Sequence, residues 1–288
     1  MMQAEVTGLL HKDGVVTGVK AETPNGPIAI HANLVVGADG RHSTVREAAA
    51  LPLDEFGVPI DVLWMRLSRR PSDPKAILGR ITAGAIFVTI DRGDYWQCAF
   101  VISKGGAQAL QSRGIEAFRN VLARVAPDFA DRVGELRDWD DIKLLTVVID
   151  RLREWYRPGL LCIGDSAHAM SPIGGVGINL AIQDAVATAN ILAANLQRGA
   201  PDLDDLRKVQ KRREWPARVT QNMQILIQNR AMTRILQLQQ EPRPPLALKL
   251  LDRVALLRRI PARLIAMGVR PEHVRISERA IGSVQNAI

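Results

Sequence analysis

Residues 160–179, which read LLCIGDSAHAMSPIGGVGIN, constrain the fold more than any other part of this chain. An apolar run ends in Gly164 and Asp165, a loop with three glycines in four positions follows, and a long alanine-rich stretch begins after it. Glycine lets the backbone approach a ligand closely and adopt positive φ without strain. The first amides of a helix lack intrahelical partners and attract negative charge. The pattern predicts a strand, a ligand-binding loop and a helix start; the alternative is a tight strand-to-helix turn with incidental glycines.

This glycine loop departs from the Gly-x-Gly-x-x-Gly fingerprint that binds a pyrophosphate. Gly175 and Gly177 fit the first two positions, but Leu180 occupies the third. Asp165 follows the carboxyl end of a predicted strand, where open α/β sheets bind their ligands. A carboxylate there can accept hydrogen bonds from hydroxyl groups, so we expect Asp165 to bind a polyol or a ribose.

Residues 34–46, which read LVVGADGRHSTVR, repeat the same arrangement earlier in the chain. An apolar run again ends in a glycine–aspartate turn, and Ser43 and Thr44 are residue types that favour the N-cap of a helix. Two strands that each end in such a turn predict two edges of one ligand crevice.

The two segments together resemble the flavin-dependent aromatic hydroxylases, which are single-component FAD monooxygenases with the para-hydroxybenzoate hydroxylase fold. Residues 37–46, with Ser43 and Arg46, are similar to the family's Asp-Gly motif; residues 164–168 are similar to its Gly-Asp motif and residues 172–179 to its flavin-ring loop. The resemblance reaches about residue 196. It implies an α/β (α+β) fold with an incomplete Rossmann-like FAD-binding domain, an interleaved antiparallel-sheet substrate domain and C-terminal helices.

The resemblance also implies domain limits and site residues. It predicts a FAD-binding domain at 1–56 and 144–200, a substrate β-sheet domain at 57–143 and a helical region at 201–288. Asp165 would bind the ribityl chain of FAD, and the backbone of residues 175–179 would lie against the pyrimidine edge of the flavin ring. Asp39 and Gly40 would support FAD and passing NAD(P)H, and Val6 would contact adenine through its backbone. The predicted cofactor-binding residues are Val6, Asp39, Gly40, Asp165, Pro172, Gly174, Gly175, Val176, Gly177, Ile178 and Asn179. No metal site is predicted, and the catalytic residues are unknown.

The beginning of the chain departs from the family pattern. The family opens with a βαβ unit of about 30 residues or more, yet the first forty residues here contain no Gly-x-Gly-x-x-Gly. We therefore expect a misplaced start, a fragment, or a partner that supplies this half. Three functions stay open: a monooxygenase that uses NAD(P)H and O₂ to hydroxylate an aromatic or other apolar small molecule; a non-catalytic remnant or half of a split flavoprotein; and a flavin-dependent reductase or halogenase.

Composition limits the remaining classes. With 288 residues and 47% hydrophobic content, the chain can form one or two cores. Cys98 and Cys162 show neither metal-ligand spacing nor a disulfide framework, which favours a reducing cytoplasm. The N-terminus lacks a signal pattern, and no run reaches the roughly 18 apolar residues of a spanning helix. The basic, amphipathic stretch at residues 246–267 leaves peripheral membrane contact open. A homodimer is also left open.

The net charge of +8 comes largely from the later part of the chain. Solvated helix faces are the favoured interpretation, and attraction of NADPH phosphates or an anionic surface is the alternative. Nucleic-acid binding is not expected, because no aromatic platform accompanies the charge. The basic residues concerned are Arg207, Lys208, Lys211, Arg212, Arg213, Arg218, Arg253, Arg258, Arg259, Arg263, Arg270 and Arg275.

Local patterns predict the secondary structure. Asp-Gly and Asn-Gly turns at 12–14 and 24–26 predict hairpins in residues 5–37. A further hairpin is predicted at 85–102, a helix at 115–125, a strand at 144–149 and a helix at 178–197. The last helix should bury a stripe formed by Ile178, Ile182, Ala185, Ala189, Leu192 and Leu196.

Several single residues carry weaker predictions. His168 is more typical of a structural turn than of a catalytic base. Pro216 should kink a helix, residues 241–245 should form a break, and Pro261 should interrupt a later helix. Strand residues that could contact a substrate, but that fit solvent-facing or core positions better, are Arg66, Arg80, Tyr95, Trp96 and Gln97.

Overall fold

The computed structural model describes residues 1–73, 78–240 and 255–275. The strands are β1 (Glu5–Lys12), β2 (Val15–Thr23), β3 (Gly26–His31), β4 (Val35–Gly37), β5 (Leu53–Phe56), β6 (Ile60–Ser68), β7 (Leu78–Thr82), β8 (Ala85–Asp91), β9 (Tyr95–Ser103), β10 (Ile142–Leu145), β11 (Ile149–Leu152), β12 (Tyr156–Arg157) and β13 (Leu160–Cys162). The helices are α1 (Thr44–Ala48), α2 (Ala107–Gln111), α3 (Ile115–Val125), α4 (Gly177–Leu196), α5 (Leu203–Ile227), α6 (Thr233–Gln237) and α7 (Ala255–Met267).

The chain divides into two compact units. Unit 1 comprises the described parts of Met1–Phe56, Ile149–Asn222 and Leu256–Ile288, and unit 2 those of Gly57–Val148 and Met223–Ala255. The mixture of antiparallel sheets, a parallel strand pair and helices confirms the predicted fold class.

Unit 1 contains the strands that position the glycine–aspartate turns. β1, β2 and β3 form an antiparallel sheet, and the predicted hairpin turns are confirmed, with Asp13 and Gly14 both at positive φ. β4 pairs in parallel with β13, with Gly37 opposite Cys162. Because parallel strands end at the same edge of a sheet, this pairing brings the two predicted turns together.

α4 follows the second turn and begins within one residue of its prediction, but Leu192 is the one residue of the predicted stripe that is fully buried. The structure buries Leu180, Asp184, Ala187, Thr188 and Leu192. Ile178 and Ile182 are instead 69% and 57% exposed. Buried polar partners for Asp184, described below, explain the rotation, since a periodicity count assigns the core to apolar residues only.

The segment Ile173–Leu196, which contains α4, is long and apolar enough to cross a membrane, with a mean hydropathy of 1.3 in its most apolar window. Core helices pass the same test, and Asp184 at the middle of α4 is fully buried within unit 1. The buried ionic contacts of Asp184 therefore favour a core helix.

Unit 2 is built on a five-stranded antiparallel sheet in the order β10-β6-β9-β8-β7. The predicted β8–β9 hairpin and the predicted α3 helix are confirmed. One face of this sheet packs against α3, and its core residues include Leu63, Met65, Phe87, Trp96, Cys98, Phe100, Phe118 and Leu122.

Other sequence predictions need correction. The strand predicted at 144–149 is wrong: β10 ends at Leu145 and β11 begins at Ile149. Between them, the Val147 amide donates to Asp61 and the Val147 carbonyl accepts from Lys104, so side chains replace the ladder there. α7 continues through Pro261, which was expected to interrupt it. Pro216 lies inside the continuous helix α5, and the kink expected there stays a prediction. The break predicted at 241–245, and residues 246–254 of the predicted amphipathic stretch, lie outside the described residues.

Candidate functional site

The first turn, after β4, is organised by the carboxylate of Asp39. Its Oδ1 accepts from the Ser43 hydroxyl at 2.5 Å, and its Oδ2 accepts from the Val45 amide at 3.1 Å. Ser43 Oγ in turn accepts from the Arg46 amide, which confirms Ser43 as the N-cap of α1. Gly40 has a φ of +84°, a conformation that favours glycine. Both oxygens of Asp39 thus support the turn itself.

The second turn, after β13, presents Asp165. Gly164 has a φ of +61°, and a Cβ atom there would lie 2.9 Å from the Cβ of Ala181 in α4. Only glycine therefore fits at this position without strain. The Asp165 side chain is about one-third exposed, and its Oδ2 lies 4.0 Å from Nη2 of Arg41. Arg41 lies just after the first turn and was missed by the sequence reasoning.

Buried contacts join the two turns. The Ser166 hydroxyl donates to the Gly37 carbonyl at 2.6 Å. The Arg46 guanidinium donates to the Ser166 carbonyl at 3.3 Å and to the Arg41 carbonyl at 2.6 Å. It also lies 3.7 Å from the carboxylate of Asp150, which is 3% exposed. The resemblance pointed to Arg46 and included Ser166 in the Gly-Asp motif. The contact of Ser166 with the first turn was missed, as was Asp150, because no local pattern links them to that turn.

Burial dominates the electrostatics of Asp150. It raises the pKa of this carboxyl above its usual value of 3.8, and the Glu55 and Asp165 carboxylates act in the same direction. The Ala169 amide and the Arg46 guanidinium oppose that rise without cancelling it. Arg46 is therefore the main cation that makes an ionised Asp150 tolerable in the interior.

The glycine loop fits the conformation expected from its sequence at two of its three glycines. Gly174 and Gly175 have φ values of +77° and +62°, whereas Gly177 begins α4 with ordinary helical backbone. Gly177 matters for space instead, since a Cβ there would lie 3.8 Å from Oδ1 of Asp165. Pro172 precedes the short 3₁₀ turn Ile173–Gly175. The loop thus leads directly from Asp165 to the start of α4.

The N-terminus of α4 is free to bind an anionic or electron-rich group. Val176 is its N-cap and, within the described residues, no side chain caps the helix and no acidic residue lies in its first turn. The first amide with an intrahelical partner is that of Leu180. The amides of Gly177, Ile178 and Asn179 therefore form a donor set supported by the helix dipole.

These residues fit FAD. The donor set suits the electron-rich pyrimidine edge of a flavin, Asp165 suits hydroxyl groups, and the positive-φ glycines leave the loop backbone accessible. In addition, Nη1 of Arg41 is buried and has no hydrogen-bond partner among the described residues. Such an orphaned donor beside Asp165 is the kind of group that a polar ligand would satisfy.

Val6 lies elsewhere in unit 1. It lines a cleft of about 450 Å³ beside β4, together with Leu34, Val36 and Asp39. The structure thus brings Val6 and Asp39 to one cleft, while residues 172–179 do not line it. The contact of Val6 with adenine stays a prediction.

The five residues of unit 2 that could contact a substrate are all engaged in contacts within that unit. Trp96 is fully buried, and its indole donates to Asp73, so it belongs to the core. Arg80 pairs with Asp128. The Arg66 guanidinium lies 3.8 Å from the Tyr95 ring, and Gln97 accepts from Arg92. These contacts agree with the solvent-facing or core positions that the sequence favoured.

Comparisons with known proteins give relatives of the same kind. The chain is 39% identical over 196 residues to 6-methylpretetramide 4-monooxygenase of Streptomyces rimosus, covering 67% of this chain and 47% of that protein. It is 31% identical over 199 residues to dialkyldecalin synthase of Streptomyces rugosporus, covering 64% and 39%. The chain therefore spans about half the length, or less, of these relatives.

Solved structures agree. The structure of OxyS anhydrotetracycline hydroxylase from Streptomyces rimosus matches with a TM-score of 0.64 and 25% identity, covering 95% of this chain and 54% of that chain. The model of the family described as "FAD binding domain" matches residues 1–223. The resemblance to FAD-dependent hydroxylases is thereby confirmed, and this chain belongs to the FAD binding domain family.

Proposed function

We propose that this chain is the FAD-binding part of a monooxygenase that uses NAD(P)H and O₂ to hydroxylate an aromatic or other apolar small molecule. One observation carries the proposal: Asp165, with the orphaned donor of Arg41 from the first turn beside it, leads through one glycine loop to the uncapped start of α4. FAD would supply the redox chemistry when bound. The chain would supply orientation.

Each site residue has a proposed task. Asp165 accepts hydrogen bonds from the ribityl hydroxyls, and Arg41 holds Asp165 while donating its free N–H to the cofactor. The amides of residues 177–179 stabilise negative charge at the pyrimidine edge of the flavin. Pro172, Gly174, Gly175 and Val176 shape the loop. Asp39 and Gly40 hold the first turn in place, and no proton-transfer residue is assigned.

One face of the sheet in unit 2 supports the proposal that the substrate is apolar. Cross-strand neighbours Trp64, Ala99 and Val88 form a row on the sheet face that points away from the α3 core. Trp64 and Val88 are only half-buried. An aromatic and aliphatic row of this kind suits a planar, apolar molecule.

Flavin binding and turnover test the proposal. We expect purified protein to bind FAD, turn yellow, and oxidise NAD(P)H with uptake of O₂. Asp165→Ala should weaken FAD binding about tenfold or more, because hydrogen bonds to a carboxylate are lost, whereas the exposed Asp204→Ala should leave binding unchanged. Protein that stays colourless with added FAD and does not oxidise NAD(P)H would contradict the proposal. Product analysis with and without O₂ separates an oxygenase from a reductase.

A second candidate is one part of a flavoprotein whose sheet another segment completes. Within the described residues, β4 pairs on one side only, and Val36 in β4 is 41% exposed. Parallel sheets are normally covered at their faces and rarely end after two strands. The apolar cleft lined by Val6, Leu34 and Val36 lies along this free edge.

Two measurements separate the candidates. The DNA upstream of the Met1 codon either encodes an in-frame strand–Gly-x-Gly-x-x-Gly–helix or does not, and its presence would contradict a partner in trans. If it is absent, a stable monomer that binds FAD alone would favour the first candidate. A chain that binds FAD only after co-purification with another polypeptide would favour the second.

A further inference from the structure

Asp184 lies at the centre of a buried polar cluster behind the Gly164–Asp165 turn. It is fully buried in α4, twenty residues after Gly164 in the chain. Its Oδ2 accepts from the Gly164 amide at 3.0 Å and from Nε2 of His168 at 2.6 Å. Its Oδ1 accepts from Nε of Arg213 at 2.8 Å. One carboxylate therefore connects both ends of the turn to α4 and α5.

The cluster keeps Asp184 ionised. Burial alone would raise the pKa of this carboxyl, but the His168 imidazole and the Arg213 guanidinium outweigh burial and lower it. A charged acceptor makes hydrogen bonds that are shorter and about twice as strong as neutral ones. The Gly164 amide is therefore held more firmly than an ordinary turn amide would be.

His168 is buried and makes its side-chain hydrogen bond within this cluster. Its side chain is 1% exposed, and Nε2 donates to Asp184. In the neutral ring Nδ1 is then an acceptor, and that atom is buried without a partner among the described residues. The Trp155 ring packs against the His168 ring, with 4.8 Å between the two ring centroids. His168 therefore supports the turn and does not reach a ligand.

The turn has several hydrogen bonds, and the bond to Asp184 is the one that holds the Gly164 amide. The Ser166 hydroxyl donates to the Gly37 and Ile163 carbonyls, and the Gly164 carbonyl accepts from the Ala167 and His168 amides. Gly164 itself adopts a left-handed φ and lies close to Ala181. Asp165, which is about one-third exposed, makes one ionic contact within the described residues, with Arg41 at 4.0 Å. The Asp184–Gly164 hydrogen bond ties the backbone amide next to Asp165 directly to α4.

We propose that Asp184 is a positioning residue for the cofactor site: its carboxylate holds the Gly164 amide and so sets where Asp165 is presented relative to the first turn of α4. The inference rests on the proposed binding of FAD by Asp165. Arg213, on the other side of the same carboxylate, stabilises the cluster without contacting the turn.

Two variants separate positioning from simple stabilisation. Asp184→Asn and Arg213→Gln both break the buried ion pair, so both should lower the melting temperature. Only Asp184→Asn removes the charged acceptor of the Gly164 amide. We expect its hydrogen exchange at Gly164 to accelerate, and its FAD affinity to fall, by about tenfold or more. Arg213→Gln should keep both values within about threefold of the unsubstituted protein, because the Gly164 bond is retained.

The readouts are amide hydrogen exchange and the ¹H shift of Gly164 by NMR in the FAD-free protein, and FAD affinity by quenching of flavin fluorescence. Asp205→Asn is the control, since Asp205 is a largely buried carboxylate of α5 that pairs with Lys208 away from the turn. If Asp184→Asn fails to fold, Asp184→Glu tests the same point, because it keeps the charge but displaces the carboxylate from Gly164.

The proposal is overturned if the Gly164 amide is unchanged in the Asp184 variants, or if Arg213→Gln weakens FAD binding as much as Asp184→Asn does. Failure of the unsubstituted protein to bind FAD would contradict the proposed function instead. The Gly164 amide measurement would still decide whether Asp184 sets the turn.

Discussion

The interior of unit 1 contains a connected set of buried ionic groups, whereas the interior of unit 2 is built from aliphatic residues and a cluster of aromatic rings. In unit 1, Arg46, Asp150, His168, Asp184 and Arg213 are all at most 7% exposed, and they surround the two glycine–aspartate turns. In unit 2, edge-to-face ring pairs at centroid distances of 5.4–6.3 Å join core residues of the sheet to α3 and the short turn after it.

The difference follows from what each interior must do. Aromatic packing gives area and geometry but presents no directed polar group. Buried charges are costly and contribute little net stability, yet they fix backbone groups in one arrangement. Unit 1 places them around its two glycine–aspartate turns. Among the described residues of unit 2, they are the Arg132–Asp73 pair and Asp61, which pairs with the exposed Lys104.

The largest effect should come from the aromatic core of unit 2. Phe118 is 2% exposed, and its ring meets that of Phe100 edge-on at 5.4 Å. Phe118→Ala should lower the free energy of unfolding by about 3–5 kcal/mol, through lost transfer and a cavity. Phe118→Leu, which keeps most of the volume, should cost less than about half of that. Urea unfolding followed by circular dichroism measures both, and equal losses would show that volume is not what matters there.

A slightly smaller loss should follow from breaking the ionic interior of unit 1. Arg46→Met removes the cation facing Asp150 and the donors to Ser166 and Arg41. It should cost about 3 kcal/mol, because a buried carboxylate is left uncompensated. Adding Asp150→Asn should recover part of the loss. Arg153→Met, which breaks an exposed pair with Asp54, should be close to neutral in the same urea titration.

One buried carboxylate in each unit, Asp150 in unit 1 and Asp61 in unit 2, should contribute to stability with opposite dependence on pH. Burial raises the pKa of Asp150 above 3.8, so the folded chain binds that proton more tightly than the unfolded chain. Its contribution is present below pH 3.8 and is lost as pH rises through the raised pKa. The pKa of Asp61 is lowered instead, because the Gly105 and Val147 amides and the Lys104 ammonium outweigh burial. The contribution of Asp61 is present above pH 3.8 and is lost as pH falls.

Asp150→Asn and Asp61→Asn test this pair of signs. The unsubstituted protein should lose stability relative to Asp150→Asn as pH rises from about 4. The corresponding difference for Asp61→Asn should shrink as pH falls below about 4. Urea midpoints measured at several pH values give both curves. Parallel curves would mean that the two carboxylates do not differ in the way their surroundings indicate.

The sequence predicted the elements better than it predicted their partners. Local chemistry was sufficient for the Asp13-Gly14 turn, the Ser43 cap and the limits of α3. It was misleading for α4, where most of a periodic apolar stripe proved exposed, and for Arg213, which was expected on a solvated face and is fully buried. In both cases Asp184 decides the outcome, because a buried carboxylate needs partners that lie far away in the chain.

The site shows the same limit. The motif resemblance found Asp39, Arg46 and Asp165, since each belongs to a short segment. It did not find Asp150, which lies outside both motif segments, or the contact of Arg41 with Asp165, which depends on the parallel pairing of β4 with β13. Contacts of this kind are properties of topology, and a single sequence carries no local signal for them.

The smallest effect should be seen in the thiol reactivity of the native protein, which tests whether the two units open separately. Each contains one cysteine that is fully buried, Cys98 in unit 2 and Cys162 in unit 1, and burial raises the pKa of each thiol to about 12. Labelling by a thiol reagent therefore requires local opening, and the unsubstituted protein should react very slowly. If the interiors are energetically separate, Phe118→Ala should accelerate labelling of Cys98 alone, and Arg46→Met should accelerate labelling of Cys162 alone. Mass spectrometry of the labelled peptides assigns the site, and equal acceleration of both thiols by either variant would show that the aromatic and ionic interiors unfold as one.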